Sequence, residues 1–332
     1  MHPLLRAAAE RRLGVFTAAD ARRAGYEHPE IRQLCSSGRW RRLRRGVYIA
    51  AEDLERLDSA GRRYQVECLA VLLALDRPTA VLSHHTAARL WGLPSGSSHD
   101  GPIRLTDPTH GRDGKGFRVV QGPIEPAEID VLGAFRRTTA ARTLIDCARE
   151  WPLDDAVVAM DAALLADRVT VPQLQTAVTR ARTWRGGRRA DRALALADGR
   201  AESPLETRGR LRIVGSGLPR PELQVEIRAG GRLVGVVDAW FEDAAVAVEF
   251  EGKVKYSDPW RNRSAGQVLW EEKRREDELR ALDIAVARIA KADLGPDWWR
   301  TEGALRRLLG RPRPGARRFT AIPRASGLIR AG

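Results

Sequence analysis

An apolar strand that ends in two carboxylates narrows the possible architectures of this chain more than any other segment. The run Ala244–Glu251 is apolar enough for a central strand, yet Glu249 and Glu251 share one of its faces, because side chains alternate along a strand. An ionised carboxylate in such a strand needs a compensating partner. The run therefore predicts a buried sheet with a charged site at one strand end.

The preceding strand supplies a third acid. A tight turn after Phe241 predicts that Phe241 lies opposite Ala244. The same register places Asp238 diagonal to Glu249 on one face, roughly 7–8 Å away. Long side chains can bridge that distance to a shared ion, so the sequence predicts that Asp238 and Glu249 act together.

Paired carboxylates and a lysine suit metal-assisted cleavage of a phosphodiester. Oxygen ligands hold Mg²⁺ or Mn²⁺, the ion polarises the phosphate, and its bound water becomes a better nucleophile. Lys253 and Lys255 follow the strand and can stabilise charge that develops on the phosphate. A solvent-facing hairpin with weak surface ion pairs explains the same spacing, so that alternative stays open.

The elements around this strand favour a nuclease-type fold of order αβββαβ. Hydrophobic periodicity predicts a helix over 204–214, strands over 223–228, 232–241 and 244–251, a helix over 267–282 and a strand over 284–289. Glu206 lies in Ser203–Glu206, which has the form of a helix capping box with Pro at the first helical position. Capping explains Glu206, and metal ligation is the lesser alternative.

The start of the chain predicts a second kind of module. Thr17 and Asp20 can cap a short helix, Pro29 suits the first turn of a second one, and a basic hairpin over 39–49 follows. Helices followed by a basic hairpin are typical of a winged helix. Five arginines in seven positions beside one aromatic favour phosphate contact over a merely solvated hairpin. The predicted DNA-binding residues are Arg39, Arg41, Arg42, Arg44 and Arg45.

The charge distribution agrees with a polyanionic partner. The formal net charge is +14; residues 1–50 hold eleven arginines against four acids, and residues 310–332 hold six arginines and no acid. Three distant cysteines, Cys35, Cys68 and Cys147, favour a reducing cytosol over a disulfide framework. The apolar runs fall short of the ~20 residues that span a bilayer. Charged residues at 6, 10, 11 and 12 interrupt the apolar stretch that a signal peptide needs, so we expect a cytoplasmic protein without a membrane partner.

These patterns predict a multidomain α+β protein in four parts. They are a winged helix over 1–60, a mixed and mainly helical domain over 61–200, an αβββαβ domain over 201–309 and a basic disordered tail over 310–332.

Residues 202–294 resemble the Vsr-like (very-short-patch-repair-like) branch of the PD-(D/E)XK restriction-endonuclease superfamily, especially actinobacterial domains of unknown function in that branch. The resemblance lies in residues 202–206, 217–221, 237–238, 247–252 and 292–294. It implies metal ligation by Asp238, Glu249 and either Glu206 or Glu251. Relatives tend to carry one or two histidines where this chain has Lys253 and Lys255, and lysine removes a general base or acid that titrates near neutrality.

Residues 1 to about 150 resemble the AbiEi-type abortive-infection antitoxins, a family of DNA-binding autorepressors. The resemblance lies in residues 14–21, 38–40, 43–48, 83–88 and 139–144. It implies a winged helix followed by a mixed domain that need not be catalytic, and it adds a cognate toxin or another protein to DNA as a partner.

Two functions follow from the sequence. The leading one is a DNA-binding protein with a metal-dependent, phosphodiester-cleaving endonuclease domain. The alternative is a non-enzymatic, antitoxin-like transcriptional regulator whose nuclease fold is degenerate. Metal-dependent cleavage separates the two.

Overall fold

The computed structural model describes residues 1–96, 101–252, 265–311 and 317–324. Its described chain divides into two compact units, Met1–Cys147 and Ala148–Gly332. This division differs from the expected boundary between residues 200 and 201, which stays a prediction. Lys253 and Lys255, two of the predicted site residues, lie outside the described residues. In the part of the chain with assigned structure, every helix is too short or too polar to cross a bilayer.

The first fifty residues, all of them described, form three helices and a three-stranded sheet of order β1-β3-β2. The elements are α1 (Pro3–Glu10), β1 (Val15–Thr17), α2 (Ala18–Arg23), α3 (His28–Ser36), β2 (Trp40–Arg44) and β3 (Val47–Ala50). The two predicted helices are confirmed. Thr17 Oγ1 accepts from the Asp20 amide at 3.1 Å, and Asp20 Oδ2 accepts from the Thr17 amide at 2.9 Å, which completes a capping box at the start of α2.

An aromatic cluster fixes the hairpin of β2 and β3 to these helices. The Phe16 and Trp40 rings meet edge to face with centroids 4.7 Å apart, and Tyr48 stacks on Phe16 at 6.2 Å. Leu5 of α1 and Ile31 of α3 are buried in the same cluster. Trp40 is thus buried at the start of a strand whose next residues are arginines, so the basic run begins from a rigid anchor.

The remainder of the first unit is a larger sheet with helices. Its elements are α4 (Ala51–Ser59), α5 (Arg63–Leu75), β4 (Val81–Leu82), α6 (His84–Leu90), β5 (Ile103–Asp107), β6 (Arg112–Gly114), β7 (Phe117–Gln121), β8 (Ile129–Leu132), β9 (Phe135–Thr138) and α7 (Ala140–Ala148). Among the described residues the six strands have the order β6-β7-β5-β4-β9-β8. Two of them, β5 and β7, are five residues long. The other four strands are only two to four residues long, too short to show a clear alternation.

The second unit begins with helices α8 (Leu153–Leu165), α9 (Val171–Ala181) and α10 (Gly187–Leu196). A buried ion pair joins α8 to the next helix, α11 (Pro204–Gly215). Arg210 Nη2 donates to Asp161 Oδ2 at 2.8 Å, and both side chains are 1% exposed. The Thr207 hydroxyl also donates to Asp161, at 2.9 Å. Asp161 therefore fixes the orientation of α11, which carries Glu206 one turn earlier.

The strands that follow α11 form a sheet of order β13-β12-β11-β10-β14 among the described residues. The remaining elements are β10 (Glu222–Ala229), β11 (Arg232–Phe241), β12 (Val246–Glu251), α12 (Ala265–Ala281), β13 (Ala285–Ala290), α13 (Trp298–Leu309) and β14 (Thr320–Pro323). From α11 to β13 this is the predicted order αβββαβ. Apolar clusters lie on both faces of the sheet, one containing Ile213 of α11 and the other Leu279 of α12.

The predicted register of β11 against β12 is wrong by two residues. Phe241 pairs with Val246 instead of Ala244, because the turn spans four residues, 242–245, with Ala245 in the left-handed region at φ +50°. Ala245 is fully buried, so the turn folds its apolar end back onto the sheet instead of extending the strand.

The predicted disordered tail over 310–332 is also corrected in part. Residues 320–323 form β14, which pairs antiparallel with β10 at the sheet edge. Phe319 packs edge to face on Trp240 with ring centroids 5.8 Å apart. This apolar anchor outweighs the disorder expected from the surrounding Pro, Gly and Arg, because burying an aromatic ring stabilises a fold by about 2 kcal/mol.

Candidate functional site

The first candidate site is the basic hairpin, defined as β2, β3 and the turn between them. Gly46 closes the turn at φ +74°, a left-handed conformation that favours glycine. The strand register is irregular between Arg42 and Arg44, where β2 carries an additional residue, Leu43. Leu43 is half-buried and packs against the core of the unit. Because of the bulge, Leu43 of β2 packs against the core while most arginines of the same strand face solvent.

Four of the five predicted DNA-binding arginines are exposed: Arg39, Arg41, Arg42 and Arg45. Arg44 differs from them. It is half-buried, its Nη1 donates to the Lys115 carbonyl at 2.8 Å, and its guanidinium lies over the Phe117 ring at 5.4 Å. Partial burial lowers the pKa of Arg44, although nearby Glu67 opposes the shift. The structure thus assigns Arg44 an internal contact and leaves the other four facing solvent.

The second candidate site is a carboxylate cluster around Glu206. Glu206 is 7% exposed, and its Oε2 accepts from the Glu202 amide at 2.8 Å and from Gln224 Nε2 at 3.0 Å. Burial and the negative charge of Asp238 raise the pKa of Glu206 to about 7. Ser203 Oγ accepts from the Glu206 amide at 3.2 Å, which confirms the predicted helix cap. Ser203 therefore caps the helix, whereas the Glu206 carboxylate bonds to the Glu202 amide and lies beside Asp238.

Asp238 lies just beyond the point where the backbone pairing of β11 with β12 ends. Its Oδ2 accepts from the Phe250 amide at 2.8 Å, beyond the last backbone pair of β11 with β12, Ala239 with Val248. A continued register places Asp238 opposite Glu249. The carboxylate thus replaces a backbone acceptor for Phe250, and the predicted joint action of Asp238 and Glu249 stays a prediction.

Gln224 is a site residue that the sequence analysis missed. Leu223 and Val225 pack in apolar clusters on opposite faces of the sheet, although strict alternation places them on the same face. Gln224, between them, has φ +52°. The strand turns over at this residue, and its amide thereby approaches Glu206. The sequence Leu-Gln-Val reads as ordinary alternation, so it held no signal for this.

Glu249 and Glu251 have arginine partners. Arg275 Nη2 of α12 contacts both oxygens of Glu249, at 2.9 and 3.2 Å, and Arg288 Nη1 of β13 donates to Glu251 at 2.8 Å. Gly235 makes room for Arg275, because a Cβ there would lie only 2.8 Å from Arg275 Cδ. The charges of the two strand acids are thus compensated, as the sequence analysis expected, but by arginines in place of the expected metal ion.

The predicted metal ligands do not converge as a complete set. Across residues 1–96, 101–252, 265–311 and 317–324, no group of three or more His, Cys, Asp or Glu is placed to hold a metal ion. Glu206 and Asp238 come together, whereas Glu249 and Glu251 bond to arginines. The described donors therefore do not fit a Mg²⁺ or Mn²⁺ centre by themselves, and the metal set stays a prediction.

Comparisons with known proteins give one family model and two relatives that this chain matches. Residues 3–51 match a family model described as "Transcriptional regulator, AbiEi antitoxin". Two proteins of Mycobacterium tuberculosis, uncharacterized proteins MT2308 (strain CDC 1551 / Oshkosh) and Rv2248 (strain ATCC 25618 / H37Rv), are each 31% identical over 269 residues. Each alignment covers 81% of this chain and 92% of the relative. The chain therefore belongs to the protein family of MT2308 and Rv2248, with an AbiEi antitoxin-type module at residues 3–51.

Proposed function

We propose that the protein is a DNA-binding transcriptional regulator and that residues 1–60 form a winged helix with the basic hairpin as its wing. The observation that carries the proposal is the exposure of Arg39, Arg41, Arg42 and Arg45 on a hairpin within the segment that matches the AbiEi model. The order of elements, α1-β1-α2-α3-β2-β3, supports it.

The physical basis is the charge of the DNA backbone. Exposed guanidinium groups neutralise phosphates and release condensed counterions, and this term supplies most of the non-specific affinity. Because the hairpin begins at buried Trp40, the arginines are presented from a fixed support and less conformational freedom is lost on binding. Arg32 and Gln33 are exposed on α3, and both residue types can bond to base edges in a major groove. We assign phosphate contact to the hairpin and base contact to α3.

Regulation by a second protein is part of the proposal. AbiEi-type antitoxins imply a cognate toxin or another protein partner beside DNA. We propose that the second unit, Ala148–Gly332, supplies that partner surface, since the match to the antitoxin model ends at residue 51.

The test is duplex-DNA affinity of the full chain with and without the hairpin arginines. We expect Arg41→Ala/Arg42→Ala/Arg45→Ala to weaken binding on the order of 100-fold near 0.1 M salt, since three phosphate contacts are lost. The matched control is Arg168→Ala/Arg182→Ala/Arg188→Ala, which removes the same charge from exposed positions of the second unit. Equal affinities for the two triple variants contradict the proposal.

A second candidate function is metal-dependent nucleic-acid cleavage by a PD-(D/E)XK-type domain over 201–309. One observation favours it: Glu206 and Asp238 are brought together at the point where β10 turns over, and two neighbouring acids repel each other. A divalent cation relieves such repulsion. In this proposal the acids are Asp238, Glu249, Glu251 and Glu206, and the lysines are Lys253 and Lys255, which follow Glu251 in the sequence.

Titration of Mg²⁺ or Mn²⁺ into the full chain, with a nicking assay on duplex and single-stranded substrates, tests this second candidate. Asp238→Asn and Glu249→Gln are expected to weaken metal binding while the fold is kept. Lys253→Ala and Lys255→Ala are expected to keep metal binding, and the one that lowers cleavage is the phosphate-stabilising lysine. Wild-type protein that neither binds the ion nor cuts any substrate leaves the regulator with a degenerate nuclease fold.

A further inference from the structure

A second hairpin of the first unit, formed by β6, β7 and the turn between them, lies beside the basic hairpin. Gly114 pairs with Phe117 across this turn, and Gly116 adopts a left-handed conformation at φ +73°. β7 is also paired in parallel with β5 of the larger sheet along five residues. The strands of the β6–β7 hairpin are therefore fixed to the sheet, whereas its turn at residues 115–116 lies beyond these pairs and can be displaced.

Arg44 joins the turns of the two hairpins. It is the last residue of β2, and its Nη1 donates to the carbonyl of Lys115, a turn residue of the β6–β7 hairpin, at 2.8 Å. Its guanidinium carbon lies 5.4 Å from the centroid of the Phe117 ring. A planar, forked cation makes both contacts at once, which a lysine does not reproduce.

The β6–β7 hairpin is itself cationic. Residues 112–121 contain Arg112, Lys115 and Arg118 against one acid, Asp113. Arg118 Nε and Nη2 donate to the two oxygens of Asp113, each at 2.9 Å, so this pair is neutral. Arg112 and Lys115 are exposed. The second hairpin thus adds two cationic side chains next to the exposed arginines of the basic hairpin.

Cationic groups held close together on a rigid support repel one another. A polyanion is attracted to all of them and offsets that repulsion. Duplex DNA carries one negative charge for about every 1.7 Å of helix axis, so a longer row of cations gains further contacts along the same molecule. An acidic protein could also meet such a surface. Continuity with the arginines assigned to DNA favours the nucleic acid.

Resting on the proposed function, we propose that the β6–β7 hairpin is a second phosphate-contacting element of the same DNA surface. Arg112 and Lys115 make the contacts, and Arg44 is a positioning residue that holds the second turn beside the basic hairpin.

The first test measures the affinity of the full chain for duplex DNA over a range of salt concentrations. Arg112→Ala/Lys115→Ala is expected to reduce the magnitude of the log–log salt slope by about two and to weaken binding on the order of 20-fold near 0.1 M salt. Arg168→Ala/Arg182→Ala is the matched control and is expected to leave the slope unchanged.

The second test concerns Arg44. Arg44→Lys keeps the charge and loses the forked contact, so the salt slope is expected to fall although no cation has been removed. Adding Arg112→Ala/Lys115→Ala to Arg44→Lys is expected to cause a smaller further loss of affinity than in wild type, because the hairpin is already displaced. Cooperative thermal unfolding of each variant checks that the fold persists.

The outcomes separate this inference from the proposed function. If Arg112→Ala/Lys115→Ala leaves the slope unchanged while Arg41→Ala/Arg42→Ala/Arg45→Ala reduces it, the second contact is overturned and the DNA-binding function stands; the β6–β7 surface then faces an acidic protein. If neither variant changes the slope, the DNA-binding function fails with it. Strictly additive losses from Arg44→Lys overturn its positioning role.

Discussion

The basic hairpin and the carboxylate cluster carry opposite charges and differ in exposure: the arginines face solvent, whereas the acids bond to other residues of the protein. The arginines at 39, 41, 42 and 45 face solvent, so their charge is available to an external polyanion. Glu206 is buried and accepts bonds from Glu202 and Gln224, while Glu249 bonds to Arg275. This exposure is the reason for our proposal that the hairpin is a surface for a partner. Internal bonding shows that these acids have hydrogen-bond or ion-pair partners within the fold.

The largest expected effect comes from the ion pair that orients α11, the helix of Glu206. Arg210→Met removes the cationic partner of buried Asp161, whose pKa burial already raises to about 6, and is expected to lower the free energy of unfolding by about 3–5 kcal/mol. The exposed Arg41→Met serves as the control from the other region, with an expected change within about 0.5 kcal/mol. Denaturant titration measures both. Similar small changes in the free energy of unfolding for the two variants would show that buried Arg210 contributes no more to stability than exposed Arg41.

A smaller effect is expected at Asp107, a fully buried acid in the same unit as the basic hairpin. Burial raises its pKa, but hydrogen bonds from Thr79, Thr109 and His110 outweigh burial and bring the pKa to about 2. A group whose pKa is lower in the folded state stabilises the fold at pH values above its unfolded-state pKa. The free energy of unfolding of wild type should therefore fall by about 2 kcal/mol as the pH is lowered from about 4 to about 2.

Asp107→Asn does not titrate in this range, and we expect its free energy of unfolding to lack that step between pH 4 and pH 2. Chemical denaturation at several acid pH values gives the comparison. A step of equal size in the variant would assign the acid sensitivity to other carboxylates and remove Asp107 from the group of internally stabilised charges.

The smallest effect is expected at the carboxylate cluster itself. Glu206→Gln keeps one oxygen as an acceptor and ends the repulsion with Asp238. The free energy of unfolding at pH 7 should therefore change by less than about 1 kcal/mol. Glu206→Ala removes the acceptor for the Glu202 amide and for Gln224 and should destabilise by about 1–3 kcal/mol. Equal losses for both variants would mean that the ionised carboxylate, rather than its hydrogen bonds, stabilises the site.

Local signals predicted the elements well and their pairing poorly. Thr17 with Asp20 and Ser203 with Pro204 fixed two helix starts, because caps depend on residues a few positions apart. The register of Asp238 was missed, since a turn of four residues and a turn of two leave the same apolar pattern in each strand. The partners of Glu249 and Arg44 lie 26 and 71 positions away, and no periodicity links residues at such separations.

We claim that the exposed hairpin arginines bind DNA and that the carboxylates do not, and the salt dependence of duplex-DNA affinity in EDTA tests this claim. Wild type, Arg41→Ala/Arg42→Ala/Arg45→Ala and Glu206→Gln/Asp238→Asn are compared as full chains. We predict that the hairpin variant has a log–log slope smaller in magnitude by about three and that the carboxylate variant has the wild-type slope. A hairpin variant with the wild-type slope would contradict the claim.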